Sequence, residues 1–296
     1  MKVKVAAVQI ETFDPPSRES NLEQALSRID EAVEEWGAKA VCLSGYFLDE
    51  VPDKNTTREY LNKIAEPVPG PSTEVMGEKA REHGIYLVAG TLFEKSEDGK
   101  IYQTAPFIGP DGRLIGKARE TYPHHNTPIM FLKGAGVSPG SPKYPVFDTE
   151  IGRIGIVVDF DIIRPEISRS LALKGAELVF WPLNWSARAT SYFQRCALST
   201  SVLNGYYVVA ANRAGWRRQV AEIGDLQYNG GSVIIHRGEI MAQCRMATYR
   251  ALENIAVATI DVAVKDRRTP LIQKEVGEIL CSLLKQRLGE EKPYIR

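Results

Sequence analysis

The stretch IGRIGIVVDFDIIRPEISRSLALKGAELVFWPLNW, residues 151–185, decides the fold. Residues 154–158 are a short, continuous apolar run rich in β-branched side chains, as expected of a strand buried on both faces. Pro165 follows a sharp turn, where the first turn of a helix tolerates proline because that N–H has no intrahelical partner. Glu166 beside it suits the positive end of the helix dipole. Leu171 and Ala172 continue the apolar face, Gly175 stops the helix, and residues 178–182 form the next buried run. In such an arrangement the carboxyl end of a strand displays side chains to a ligand. The residue displayed here is Asp159.

Outward from this stretch the same grammar recurs. WGAKAVCLSGY, residues 36–46, echoes KGAELVFWPLNW, residues 174–185: a helix end, Gly-Ala, a buried strand, then a turn. The echo suggests two related αβ halves. Residues 3–10 read as a strand and 21–36 as a helix with Leu22, Ala25, Leu26, Ile29 and Val33 on one face, capped by Ser17 or Ser20. A strand at 38–43, a polar loop at 49–55 and a helix at 73–83 ended by Gly84 follow. Strands are expected at 85–93, 101–109 and 113–117, the last two joined by the turn Asp111-Gly112. Residues 118–140 are a long irregular segment with three prolines and the pair His124-His125, a length that within a domain usually serves function. Beyond the central stretch come a helix at 191–204, a strand at 206–211, a second long loop at 212–229, a hairpin at Arg237-Gly238, a strand at 256–261 and an amphipathic helix at 276–288. Nothing resembling a linker interrupts the chain. One domain over 1–296 is therefore expected, with 262–296 as a carboxyl-terminal, subunit-pairing extension.

The chain has 296 residues, 44% hydrophobic and 25% charged, and its 37 basic and 37 acidic side chains cancel. These are ordinary values for a globular protein with a large core. Zero net charge offers no electrostatic case for nucleic acid or an anionic membrane surface. The opening MKVKVAAVQIE has too few apolar residues for a signal peptide, and no run approaches a membrane span. Cys42, Cys196, Cys244 and Cys281 form no CxxC pair and read as reduced thiols of a cytoplasmic protein. No cofactor motif is present.

The central stretch resembles the nucleophile-bearing segment of the nitrilase, or carbon–nitrogen hydrolase, superfamily, written IGxxICYDxRFPE before a helix and GAE. Ile154, Gly155, Asp161, Pro165, Glu166, Gly175, Ala176 and Glu177 fall in place without a gap. VAAVQ, NLEQAL, GAKAV, YQTAPFIGPDGRLIGKAR, WPLNW, YVVAANR and YNGGSVI extend the resemblance over nearly the whole chain. It implies a four-layer α-β-β-α sandwich, usually paired through helices into a homodimer or larger even oligomer. It also implies a glutamate as general base, a lysine that stabilises an oxyanion and a cysteine nucleophile. In this sequence Gly45 takes the glutamate position, Glu120 the lysine position and Asp159 the cysteine position. Ile163 stands where the family has arginine, with Arg164 one residue later.

Two readings follow. In the first, the protein is a non-hydrolytic pseudoenzyme that keeps the fold to bind a small ligand or a partner, such as an intact homologue made alongside it. In the alternative, Glu120 and Asp159 form a repurposed carboxylate pair for acid/base or metal-assisted chemistry on a small nitrogen-containing metabolite. His124, His125 and Asp161 could extend such a site toward a metal, although the residues specify no metal set. The resemblance further places Glu94, Asn184, Trp185, Asn204 and Tyr228 at positions that line or support a ligand pocket, and His124 of the long loop is a further ligand-binding candidate.

Overall fold

Each central strand is apolar on both faces, and the chain covers both by stacking two sheets and laying helices on the outside. In a computed structural model of the chain the residues described are 1–12, 17–49, 58–121, 136–220, 224–246 and 254–262. The first half runs β1 (Lys2–Val8), β2 (Glu11–Thr12), α1 (Arg18–Glu34), β3 (Ala40–Leu43), α2 (Arg58–Ile64), α3 (Pro71–His83), β4 (Tyr86–Val88), β5 (Leu92–Lys95), β6 (Ile101–Ile108) and β7 (Leu114–Arg119). The second runs β8 (Val146–Thr149), β9 (Gly152–Ile156), α4 (Pro165–Leu173), β10 (Leu178–Leu183), α5 (Thr190–Asn204), β11 (Tyr207–Asn212), β12 (Ala214–Val220), β13 (Gly224–Asn229), β14 (Val233–His236), β15 (Glu239–Gln243) and β16 (Ile255–Asp261).

One sheet has the order β16-β1-β3-β4-β6-β5 with β7 on β6, and the other β15-β14-β11-β10-β9-β8. Their centres match: β1, β3 and β4 are parallel, as are β9, β10 and β11. Period-two alternation divides the side chains between cores. Ala40 and Cys42 of β3 meet Leu178 and Phe180 of β10 between the sheets. Val41 and Leu43 pack outward against Ala25, Ile29, Met76 and Ala80 of α1 and α3. Val179 and Trp181 pack outward against Ile167, Leu171 and Phe193 of α4 and α5. The result is an α-β-β-α sandwich in one domain, as the sequence implies, with each Gly-Ala-strand echo at the centre of one sheet.

The expected punctuation holds. The Ser17 hydroxyl caps α1 by accepting from the Ser20 N–H, Gly84 ends α3 in the left-handed conformation and Pro165 opens α4. Two expectations need correction, and α2, β2 and β8 were not expected. Residues 85–93 are two strands, because Gly90 turns the chain with φ +61° and packs where a Cβ would lie 2.4 Å from the Ser44 carbonyl oxygen. The expected loop at 212–229 holds two strands, β12 and β13, which pair with each other, and β12 also pairs parallel with β2. The strand β8, paired antiparallel to β9, has no counterpart in the sequence reading. The helix expected at 276–288, and with it nearly all of the proposed extension, lies outside the described residues.

Candidate functional site

The site forms where β3, β6, β7, β9 and β10 end. Asp159 follows β9 with φ +41°, a left-handed conformation that costs a residue with a Cβ about 1–3 kcal/mol and persists only where surroundings hold it. Three side chains do so. Trp181 Nε1 donates to the Asp159 carbonyl at 2.7 Å, Trp185 Nε1 to Oδ1 at 2.7 Å, and Gln103 Nε2 to Oδ2 at 3.3 Å. Phe160 stacks on Trp185 with ring centroids 4.6 Å apart. The Asp159 side chain is fully buried.

The β6–β7 pairing delivers Glu120 to the same place, for its N–H donates to the Gln103 carbonyl at 2.9 Å. Asp161 fastens the two segments together by accepting from the Thr121 N–H at 2.8 Å. Glu120 is 1% exposed, and neither carboxyl oxygen makes a hydrogen bond of good geometry among the described residues. Burial raises its pKa well above the usual carboxylate range, and the charges of Asp159 and Asp161 raise it further. The Phe160 N–H and the Arg164 guanidinium only temper the rise. Burial likewise pushes Asp159 up to about 7, against the opposing hydrogen bonds from Trp185 and Gln103. The two titrate as a pair.

Gly45, at the end of β3, joins the sheets: its N–H donates to the Leu183 carbonyl at 2.9 Å. A Cβ there would lie 3.0 Å from the Leu183 carbonyl carbon and 3.2 Å from Thr91 Oγ1, so a glutamate at this position would crowd the junction. Tyr46 follows with φ +50°. Its N–H donates to Thr91 Oγ1, its carbonyl accepts from Arg213 Nη1 at 2.9 Å, and its hydroxyl donates to Gln103 Oε1. The Gln103 amide thus bridges Tyr46 to Asp159. Burial, and then the charges of Glu120 and Asp159, raise the Tyr46 phenol well above its ordinary pKa. Sequence reasoning missed both residues. Gln103 left a signal, a lone amide on the face of β6 shared by Ala105 and Phe107; Tyr46 left none.

Of the other expected site residues, Trp185 touches Asp159 as described, and Tyr228 is buried near Tyr46 with the Arg213 guanidinium 5.2 Å from its ring centroid. Asn184 is 4% exposed, and neither its Oδ1 nor its Nδ2 has a hydrogen-bond partner among the described residues. His124 and His125 lie outside the described residues. Glu94 is committed elsewhere. Its carboxylate takes Lys117 Nζ at 2.5 Å, Arg119 Nε at 2.8 Å and Nη2 at 2.6 Å, and Thr104 Oγ1 at 2.7 Å. Its contacts make it an anchor for Lys117 and Arg119. Burial alone would raise the Glu94 pKa, but the donors of Arg119, Lys117 and Thr104 outweigh it and hold the carboxyl below its usual value. Glu94→Gln is expected to cost about 2–3 kcal/mol, less than for a fully buried pair because both cations reach water. The depressed pKa contributes stability present above the unfolded value and lost as pH falls through the folded one. Denaturant titrations should therefore show the deficit at neutral pH shrinking in acid.

The carboxylates of Glu120, Asp159 and Asp161 do not converge as metal ligands do. Among the described residues the one group of His, Cys, Asp and Glu whose ligand atoms lie within 4.8 Å of one another is Asp30, Glu34 and His83, at α1 and α3. There Lys79 Nζ already sits 2.9 Å from Asp30.

Comparison with known proteins agrees with the architecture. The carbon–nitrogen hydrolase family model matches residues 4–267. A nitrilase of Pyrococcus abyssi is 32% identical over 271 residues, 90% of this chain and 93% of its own. An omega-amidase of Homo sapiens is 31% identical over 215 residues, 71% of this chain and 74% of its own. Among solved structures, Nit3 of Saccharomyces cerevisiae, described as a member of branch 10 of the nitrilase superfamily, superposes with a TM-score of 0.72 at 26% identity, over 98% of this chain and 96% of its own. A carbon–nitrogen hydrolase from Helicobacter pylori shares the fold over the full length of both chains, with a TM-score of 0.77 at 21% identity.

Proposed function

The chain belongs to the carbon–nitrogen hydrolase family, and we propose that within it this protein binds a small ligand or partner without hydrolysing carbon–nitrogen bonds. One observation carries the reading: the side chain displayed at the strand end is Asp159, with both oxygens already engaged and Glu120, not a lysine, beside it. Removing a nucleophile alone typically costs on the order of 10⁴–10⁶ in rate. An aspartate attacking an amide would form an anhydride, and the oxyanion formed on the way would face a second carboxyl group in a dry site. The protein is expected to release no ammonia from amides, nitriles or N-carbamoyl amines. Turnover well above background that Asp159→Ala abolishes would overturn this.

A second reading, acid/base chemistry by a repurposed pair, is favoured by one feature: burial pushes Asp159 up to about 7 and raises the neighbouring Glu120 well above the usual carboxylate range. Perturbed carboxyls of this kind are suited to proton transfer at neutral pH. It would show as turnover of a nitrogen-containing metabolite that both Asp159→Asn and Glu120→Gln abolish.

The surface supports self-association. Leu173 at the end of α4 and Tyr192, Val202 and Leu203 on α5 are large apolar side chains, each about half exposed or more. A homodimer burying this face is expected by light scattering at micromolar concentration, and Val202→Lys with Leu203→Lys should shift it to monomer. A monomeric wild type would contradict the pairing. The free thiols of Cys42, Cys196 and Cys244 fit a reducing, cytoplasmic setting. No helix among the described residues is long and apolar enough to cross a membrane.

A further inference from the structure

We propose that the acid site binds a small primary ammonium ion, held by Glu120, Asp159 and the Asn184 amide. This deepens, and rests on, the reading of the site as a non-hydrolytic binding site.

Buried polar groups in folded proteins almost always have a partner, so each exception asks for one. Among the described residues the site's exceptions include the Thr121 hydroxyl, both ends of the Asn184 amide, and Glu120, whose oxygens make no hydrogen bond of good geometry although the Phe160 N–H favours its charged form. Glu120 and Asn184 are each joined to a residue that holds Asp159: the Glu120 N–H donates to the Gln103 carbonyl, and Asn184 is the chain neighbour of Trp185. Asn184 precedes Trp185, whose indole holds Asp159. By alternation from Leu178 and Phe180, Asn184 stands on the face of β10 that looks at the opposite sheet, the face from which Gln103 reaches Asp159.

The groups facing Glu120 are Asp159, Asp161 and Arg164 from the turn after β9, and Tyr46 from the end of β3. Three carboxyls against one guanidinium disfavour an anion. An ammonium group supplies three donors and no acceptor, the complement of the Glu120 oxygens and Asn184 Oδ1. Trp185, Phe160, Tyr46 and Tyr228 add aromatic surface, which favours an organic cation over an equally charged but more strongly hydrated metal ion. A cation that binds an ionised Glu120 must displace the proton this residue otherwise carries, so binding and proton release are coupled.

Calorimetry on the full chain tests this with ammonium and methylammonium chloride, against sodium chloride at equal ionic strength and neutral acetamide. The expected result is binding of the amines alone, with release of about one proton at neutral pH, read from titrations in two buffers of different ionisation enthalpy. Affinity should rise about tenfold per pH unit while Glu120 remains protonated. Glu120→Gln should weaken methylammonium binding tenfold or more and abolish proton release. Asn184→Ala should weaken binding and leave the proton count unchanged. Equal heats for sodium or acetamide, binding without proton release, or an unaltered Glu120→Gln would overturn the ammonium site. Absent amine binding with no ammonia release from amides would remove this inference and leave the non-hydrolytic reading standing. Amine binding together with amide turnover would do the reverse.

Discussion

Trp185→Ala is expected to destabilise the protein by about 3–5 kcal/mol, the range for deleting a large aromatic side chain from a core. Trp185 is 1% exposed and lies among Trp181, Phe160 and Phe193, so little solvent could fill the space left behind. The loss has a second part, because the indole N–H is the shorter of the two hydrogen bonds made to the Asp159 carboxylate. Trp185→Phe separates the two. It keeps most of the packing and removes the donor, a change of about 1.5–3 kcal/mol for a hydrogen bond to a charged group. That cost should grow as pH rises, since the donor favours the ionised form. Urea denaturation of both variants at pH 5 and pH 8 would measure the parts. A cost below about 1 kcal/mol for Trp185→Ala would mean that the indole does not support the turn.

The architecture was legible wherever a local steric rule fixes the chain. Pro165 can stand only in a helix's first turn, Gly84 supplies a left-handed stop, and the unbroken apolar runs before Asp159 and Pro182 can be satisfied only between two layers. It was illegible where pairing partners are distant. The segment GWRRQVAEIGDLQYN is polar on both faces and reads as a loop, yet Ala214 and Gly215 pair with Glu11 and Thr12 some 200 positions earlier. Gly90 was readable in principle, since a glycine within a strand pattern often marks a close approach of backbones.

The candidate site divides along the same line. Asp159, Glu120 and Trp185 stand in recognisable surroundings, and the fold brings them together. The Tyr46–Gln103 link depends on a left-handed tyrosine whose carbonyl is held by Arg213, 167 positions away, and no local pattern announces such a contact. The ionic role of Glu94 was hidden because its partners lie on a different strand. Lys117 and Arg119 lie close to Glu120 in sequence, but alternation along β7 sends them to another face, where Glu94 collects both.

We propose that Asp159 and Glu120 stand at the family's nucleophile and lysine positions, and that burial makes the pair hold a proton at neutral pH. Stability as a function of pH, compared between the wild type and the double variant Asp159→Asn with Glu120→Gln, tests it most directly. A carboxyl whose folded pKa is raised contributes stability that is full below the unfolded value and is lost as pH climbs through the folded one. The unfolded values are near 4; burial pushes Asp159 up to about 7 and raises Glu120 well above the usual carboxylate range. Wild type should therefore lose stability relative to the double variant from about pH 4.5 upward, by about 1.4 kcal/mol per pH unit for each proton that the folded site retains and the unfolded chain has released. The variant carries neutral amides and should show no such slope. Denaturation curves at half-unit steps from pH 4 to pH 8 that diverge in this sense are the predicted result; parallel curves for the two proteins would contradict it.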